Sequence, residues 1–164
     1  MVLLMGGCSV TPEPQETAPA FATEEEAFAA AEQTYRAYVD ALNQVDLSDP
    51  ETFEPVFALT TGEANASARQ TFSQMHADGL TVSGMTHFDN FNPTKYRNEA
   101  SVVLVESMLC LDVAEVEVID KAGNSAVPNE RLDRQPIDVV FASLGDGALA
   151  IQSSNSSSVD VCVR

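Results

Sequence analysis

The hydrophobic period of this chain changes once, and the change falls at Gly79. From Thr23 to Asp78 apolar residues recur every three or four positions, and beyond Gly79 they alternate with polar ones. Helices and strands segregated in this way pack as an α+β fold, with helices gathered on one face of a mostly antiparallel sheet. The alternating βαβ units of a parallel sheet are excluded by the same pattern.

The helical half reads in three pieces. Thr23 and Glu26 have capping-box spacing, and Glu24 and Glu25 stand at the positive end of the helix dipole. Phe28, Ala31, Tyr35, Tyr38, Val39, Leu42 and Val45 then form one apolar stripe along a helix of about six turns. Glu32, Arg36 and Asp40 occupy its opposite face. Asp49 and Pro50 read as the cap and first residue of a short helix through Phe53, which Pro55 interrupts before Val56, Phe57 and Leu59. Thr60 and Glu63 repeat the capping-box spacing ahead of a third helix from about Glu63 to Asp78. That helix presents Ala64, Ala68, Phe72 and Met75 on one face, and Gly79 is its left-handed stop.

In the second half, Leu80, Val82, Gly84, Thr86 and Phe88 alternate with Met85 and His87, which predicts a first strand ending at the turn residues Asn90, Asn92 and Pro93. ASVVLVESMLCLDV, at 100–113, is apolar on both sides, as a central strand covered on both faces would be. Val116 and Val118 alternate with Glu115 and Glu117 before a turn at 121–124. Ile137, Val139 and Phe141 begin a strand that Leu149 and Ile151 continue after a turn at 145–147. Val159, Val161 and Val163 predict a last short strand.

The formal charge is −17, from 25 acidic and 8 basic residues spread along the chain. No basic patch is available to neutralise phosphates, so nucleic acid is not an expected partner. No apolar run reaches the ~18 residues that a membrane-spanning helix requires. DxDxDG loops, HExxH, CxxC and phosphate-cradling glycines are missing from the sequence, so no metal and no cofactor is expected.

The chain opens MVLLMGGCSV: an apolar run, two glycines and Cys8. This order resembles the lipobox of bacterial lipoproteins, in which small residues admit the peptidase and the cysteine thiol takes the diacylglycerol. The resemblance implies a signal-peptide remnant at 1–7, a lipidated Cys8 carrying palmitate-type chains, and an extracytoplasmic location at the cell membrane. The alternative for residues 1–7 is a buried first strand or a start without fixed structure. Residues 9–22, SVTPEPQETAPAFA, contain three prolines and no hydrophobic period, so 8–22 reads as a disordered tether ahead of a domain at 23–164.

Three helices followed by a long antiparallel meander is the element order of the NTF2-like superfamily, which includes SnoaL-like proteins and ketosteroid isomerase. The stretches CLDVAEVEVIDKAGNSAVP at 110–128 and FALTTGEANA at 57–66, with the cysteine near the end, resemble the lipid-anchored NTF2-like proteins of actinobacteria. The resemblance implies a long first helix lying across a strongly curved sheet, with a pocket or a packed core in the cone between them. A cystatin-like sandwich is the rival architecture, favoured by one helix before the sheet where three favour the NTF2-like cone.

Enzymes of this superfamily use a carboxylate or a His–Asp pair inside the cone as general base, because an apolar pocket raises carboxylate basicity. The candidate pocket residues here are Tyr38, His87, Asp89 and Glu106, with Tyr96 and Asp112 beside them. His87 and Asp89 share a strand face by their spacing. Glu106 is a carboxylate in an apolar strand. Facing the cone, it would need Arg69, Arg97, Arg131 or Arg134 as partner; otherwise it lies at a solvent-facing sheet edge. None of the four matches a family catalytic motif, so no catalytic residue is assigned. The leading expectation is a non-catalytic envelope lipoprotein that binds a partner protein, an envelope component or a small apolar ligand. An isomerase, cyclase or hydrolase is the alternative, and a homodimer formed through the open sheet face is a third.

Cys110 and Cys162 are an even pair in a chain whose N-terminus points to an oxidising compartment, so a disulfide is expected between them. A final strand returning beside the sheet's centre would bring them within reach.

Overall fold

The computed structural model describes residues 21–99 and 102–163. Cys8, the expected signal remnant and the tether as far as residue 20 lie outside the described residues.

Helix α1 spans Glu24–Leu42. Its cap is the predicted one: Thr23 Oγ1 accepts from the Glu26 N–H at 3.2 Å, and the Glu26 carboxylate accepts from the Ala22 N–H at 3.0 Å. These bonds satisfy donors that the first helical turn leaves open. A 3-10 turn, Pro50–Phe53, is capped by Asp49 and runs into α2, Glu54–Ala58, where Pro55 occupies the first turn. Helix α3, Gly62–Asp78, stops at Gly79 in the left-handed conformation, φ 65°.

The start of α3 differs from expectation. Its cap is Thr61, which makes no side-chain capping bond, and Thr60 is drawn into the sheet instead. The Thr61 N–H donates to Ile151 O at 2.8 Å and the Ile151 N–H to Leu59 O at 2.9 Å. Pairing with the sheet competes for the backbone that a capping box would have used.

The strands are β1 Thr81–Ser83, β2 His87–Glu99, β3 Val102–Asp112, β4 Glu117–Ile119, β5 Arg134–Ser143 and β6 Leu149–Ser156. The main sheet has the order β2-β3-β5-β6, antiparallel throughout, and β1 pairs with β4 in a separate two-stranded ribbon. Three helices and a curled, unclosed antiparallel sheet make this an α+β fold of the NTF2-like cone type.

Two strand expectations are corrected. The single strand predicted from Leu80 is two, broken at Gly84, whose φ is 84° and where a Cβ would stand 1.8 Å from the Glu115 carbonyl oxygen. Pairing also does not end at Asn90, Asn92 and Pro93; β2 runs through them, with register shifts between Asp89 and Asn92 and between Pro93 and Lys95. Bulges absorb Asn90, at φ 53°, and β2 is an edge strand, where a proline's missing N–H is tolerated. The predicted strand at Val159, Val161 and Val163 does not form, and Val159 and Val163 stay 51% and 70% exposed.

The inner face of the sheet carries the main core. Ala27, Ala31, Tyr35 and Val39 of α1 pack on Val103, Val105 and Leu109 of β3, Val139 and Phe141 of β5, and Ile151 of β6. Tyr35 is its centre, edge-on to Phe88 at 4.9 Å and to Phe141 at 6.4 Å between ring centroids. β3 is not covered equally on both sides: Leu104, Glu106 and Met108, on the outer face, are only half-buried. A smaller second core joins Leu47, Phe53 and Phe57 to Phe72, Met75, Leu80 and Val82. His76 Nδ1 lies 2.6 Å from Leu47 O and ties α3 to that core.

Candidate functional site

Between α1 and α3, above β6, the fold leaves a cleft of about 310 Å³. The small side chains of Ala64, Ser67, Ala68 and Thr71 line it from α3, where larger ones would fill it. Tyr38, Leu42, Phe72 and Ile151 supply its apolar surface, and Ser67, Thr71, Ser154, Asn155 and Glu63 its hydrogen-bonding groups. Burial pushes the Tyr38 phenol up from its ordinary value, which keeps it protonated as a neutral donor and acceptor. Among the described residues no histidine, cysteine or lysine lines the cleft. Its shape and lining suit a ligand with an apolar body and a polar edge.

The space directly under α1 is occupied by Tyr35, Leu109 and Phe141. Besides the Tyr35 phenol, Ser107 Oγ is buried there without a hydrogen-bond partner among the described residues.

The residues singled out from sequence do not converge. Tyr38 lines the α1–α3 cleft. His87 is exposed and borders a separate depression of about 210 Å³ with Arg36, Asp40 and Asn43. Asp89 and Glu106 lie on the outer sheet face, since Asp89 is opposite Cys110 and Glu106 opposite Lys95. Glu106 is neither inside the cone nor at a sheet edge, for β3 sits between β2 and β5. Of its four candidate partners Arg97 is the one that reaches it, with Nη2 at 2.7 Å. Phe88 and Phe91 take the inward positions of β2, which leaves His87 and Asp89 outside the core.

Asp89 belongs to a network that the sequence reading missed. The Arg134 guanidinium donates to both Asp89 oxygens at 2.8 and 2.9 Å and to Asp112 Oδ2 at 2.8 Å, which raises its affinity for its proton, Asp89 first and Asp112 second. Only the strand register, Asp112 opposite both His87 and Arg134, brings these groups together. Of the cleft residues of α3, Ala64, Ala68 and Phe72 lie on the face read from sequence, whereas Ser67 and Thr71 beside them were missed because they are polar.

The other arginines are also engaged. Arg36 pairs with Glu32 at 2.7 Å and lies over Phe88, and Arg69 donates to Asn65 and lies 4.1 Å from the Phe57 ring centroid. Arg131 donates to the carbonyls of Val113 and Val116. Among the described residues no group of three or more His, Cys, Asp or Glu side chains could hold a metal ion. No helix among them is long and apolar enough to cross a membrane.

Cys110 and Cys162 are joined in a disulfide, Cα to Cα 5.0 Å, across a sequence separation of 52. The bond forms without the strand expected to carry it.

No family model matches this chain, and no curated protein matches it. Among solved structures, the intermembrane-space region of the chloroplast protein ARC6 is similar at 12% identity, over 78% of this chain and 94% of that one, with a TM-score of 0.52. A structure from Catenulispora acidiphila in complex with S-DNPA is 14% identical over 80% of this chain and 92% of its own, with a TM-score of 0.47. VirB8 of Agrobacterium tumefaciens is 13% identical over 84% and 94%, with a TM-score of 0.43. At such identities the likeness concerns the fold alone.

Proposed function

We propose that this chain is a non-catalytic, extracytoplasmic lipoprotein, anchored through acylated Cys8, whose NTF2-like domain binds a partner protein, an envelope component or a small apolar ligand in the α1–α3 cleft. The observation that carries the reading is the make-up of that cleft: an apolar floor and mostly neutral hydrogen-bonding groups, with its one carboxylate among the described residues, Glu63, exposed to water and so not desolvated as a general base would be. A protein of this kind works by holding, not by proton transfer. The Cys110–Cys162 disulfide supports the location, because such bonds persist on the oxidising side of a membrane. An NTF2-like enzyme would need its carboxylate or His–Asp pair desolvated inside the cone, whereas His87 and Asp89 stand exposed outside the core.

The anchor is tested with Cys8→Ser, expressed behind a complete upstream signal. The expected result is loss of acyl mass from the N-terminus and release from membranes. A Cys8→Ser protein that still partitions with lipid overturns the anchoring.

A further inference from the structure

β6 ends at Ser156, and residues 157–163 then cross the outer sheet face as a strap without regular structure. Its attachments are few. The Ser157 N–H donates to Pro136 O at 2.8 Å at its root, and Asn90 Nδ2 donates to Val161 O at 2.7 Å further along. Beyond Ser157 no backbone–backbone hydrogen bond joins the strap to the sheet among the described residues. Val159 and Cys162 donate their N–H groups to Ser157 Oγ and Asp160 Oδ1 within the strap itself. Between the strap and the start of β5, a cleft of about 290 Å³ remains beside Leu132, Arg134 and Pro136, so the strap is not packed down. None of its residues belongs to either apolar core. The disulfide is its one strong attachment, and Cys110 beneath it is fully buried while Cys162 is half-exposed.

We propose that the Cys110–Cys162 bond is a redox latch: its reduction frees residues 157–163 and uncovers Cys110 while the domain stays folded. The reductant is a dithiol. One of its thiolates attacks the more accessible Cys162 Sγ, the S–S bond breaks, and Cys110 leaves as a thiolate that takes up a proton. The second thiol then displaces Cys162 from the mixed disulfide, so that the dithiol is oxidised to its own disulfide and both protein sulfurs end as thiols. The core survives because α1 and the inner sheet face pack without the strap. This inference goes beyond the binding function above and does not depend on it.

The test uses the intact chain, oxidised and after treatment with dithiothreitol, with Cys162→Ser as a second route to the open state. Reduction and the substitution should each speed proteinase K cleavage within 157–163 by at least about tenfold, and reduction should make Cys110 alkylatable by iodoacetamide. The amides of Val103, Val105, Leu109, Val139 and Phe141 should meanwhile keep their hydrogen-exchange protection within about tenfold. Collapse of that protection together with strap cleavage would make the bond a staple of the whole fold and overturn the proposal. Unchanged cleavage with Cys110 unreactive would overturn it too.

Discussion

Helices α1 and α3 are of similar length, 19 and 17 residues, yet α1 buries Ala27, Ala31, Tyr35, Val39 and Ala41 and α3 buries no residue fully. Both begin at a threonine and both lean on the same sheet. The difference lies in what each opposes. α1 crosses the inner face and meets side chains from β2, β3, β5 and β6, while α3 meets only β6 of the main sheet, at its margin, and otherwise the smaller core around Phe53 and Phe57. A helix that opposes a whole sheet face can exclude water along its length; one at the margin cannot, and the leftover space becomes a cleft. The packed core and the open cleft thereby fall to different helices of one fold.

The contrast breaks most visibly at Tyr35 and Phe72. Tyr35→Ala, at the centre of the main core, should cost about 3–5 kcal/mol, and Phe72→Ala, half-buried on α3, about 1–2 kcal/mol. Urea unfolding monitored by circular dichroism measures both, and equal losses would mean that α3 is as integral as α1.

A smaller difference is expected at the caps. Thr23→Ala removes a side-chain bond to the helix and should cost about 1 kcal/mol, whereas Thr61→Ala removes none and should stay within about 0.5 kcal/mol by the same assay.

The smallest effect is confined to alkaline pH. Burial first, and the neighbouring Tyr38 second, push the Tyr35 phenol well above its ordinary value. Above pH ~10 the unfolded chain therefore releases a proton that the folded chain retains, and stability falls as pH rises. Below that pH both states hold the proton and the term vanishes. Tyr35→Phe should flatten the alkaline limb of the stability–pH curve and leave the curve at pH 7 parallel to that of the parent protein.

Much of this fold is legible in the sequence, and the failures have physical causes. Thr23 and Gly79 mark helix ends because capping and left-handed termination are local. β5 and β6 are readable because Ile137, Val139, Phe141, Leu149 and Ile151 alternate on one buried face. Asn90, Asn92 and Pro93 mislead because residues that favour turns also favour bulges, and nothing local says that β2 is an edge strand. Val159, Val161 and Val163 mislead in the other direction: alternation satisfies the strand pattern, but a strand also needs a free edge to pair with, and this segment crosses the sheet face. The candidate site fails for a related reason. Spacing places His87 and Asp89 on one face of β2, but which face meets the helices is decided by Phe88 and Phe91 from across the core. The cysteine pairing survives its wrong supporting strand because composition and compartment argue for it independently of geometry.

The engagement of all five described arginines has an electrostatic consequence. Arg36, Arg97 and Arg134 are already matched to carboxylates, Arg131 to backbone carbonyls, and Arg69 to an amide oxygen and a ring face. A net charge of −17 is thus projected outward with little positive relief. Near an anionic bilayer or wall polymer such a particle is repelled over a screening length of about 8 Å at physiological salt. The same field draws in cationic partners and speeds their encounter. The encounters of a domain built this way, with anionic surfaces as with cationic partners, therefore depend on ionic strength as well as on shape.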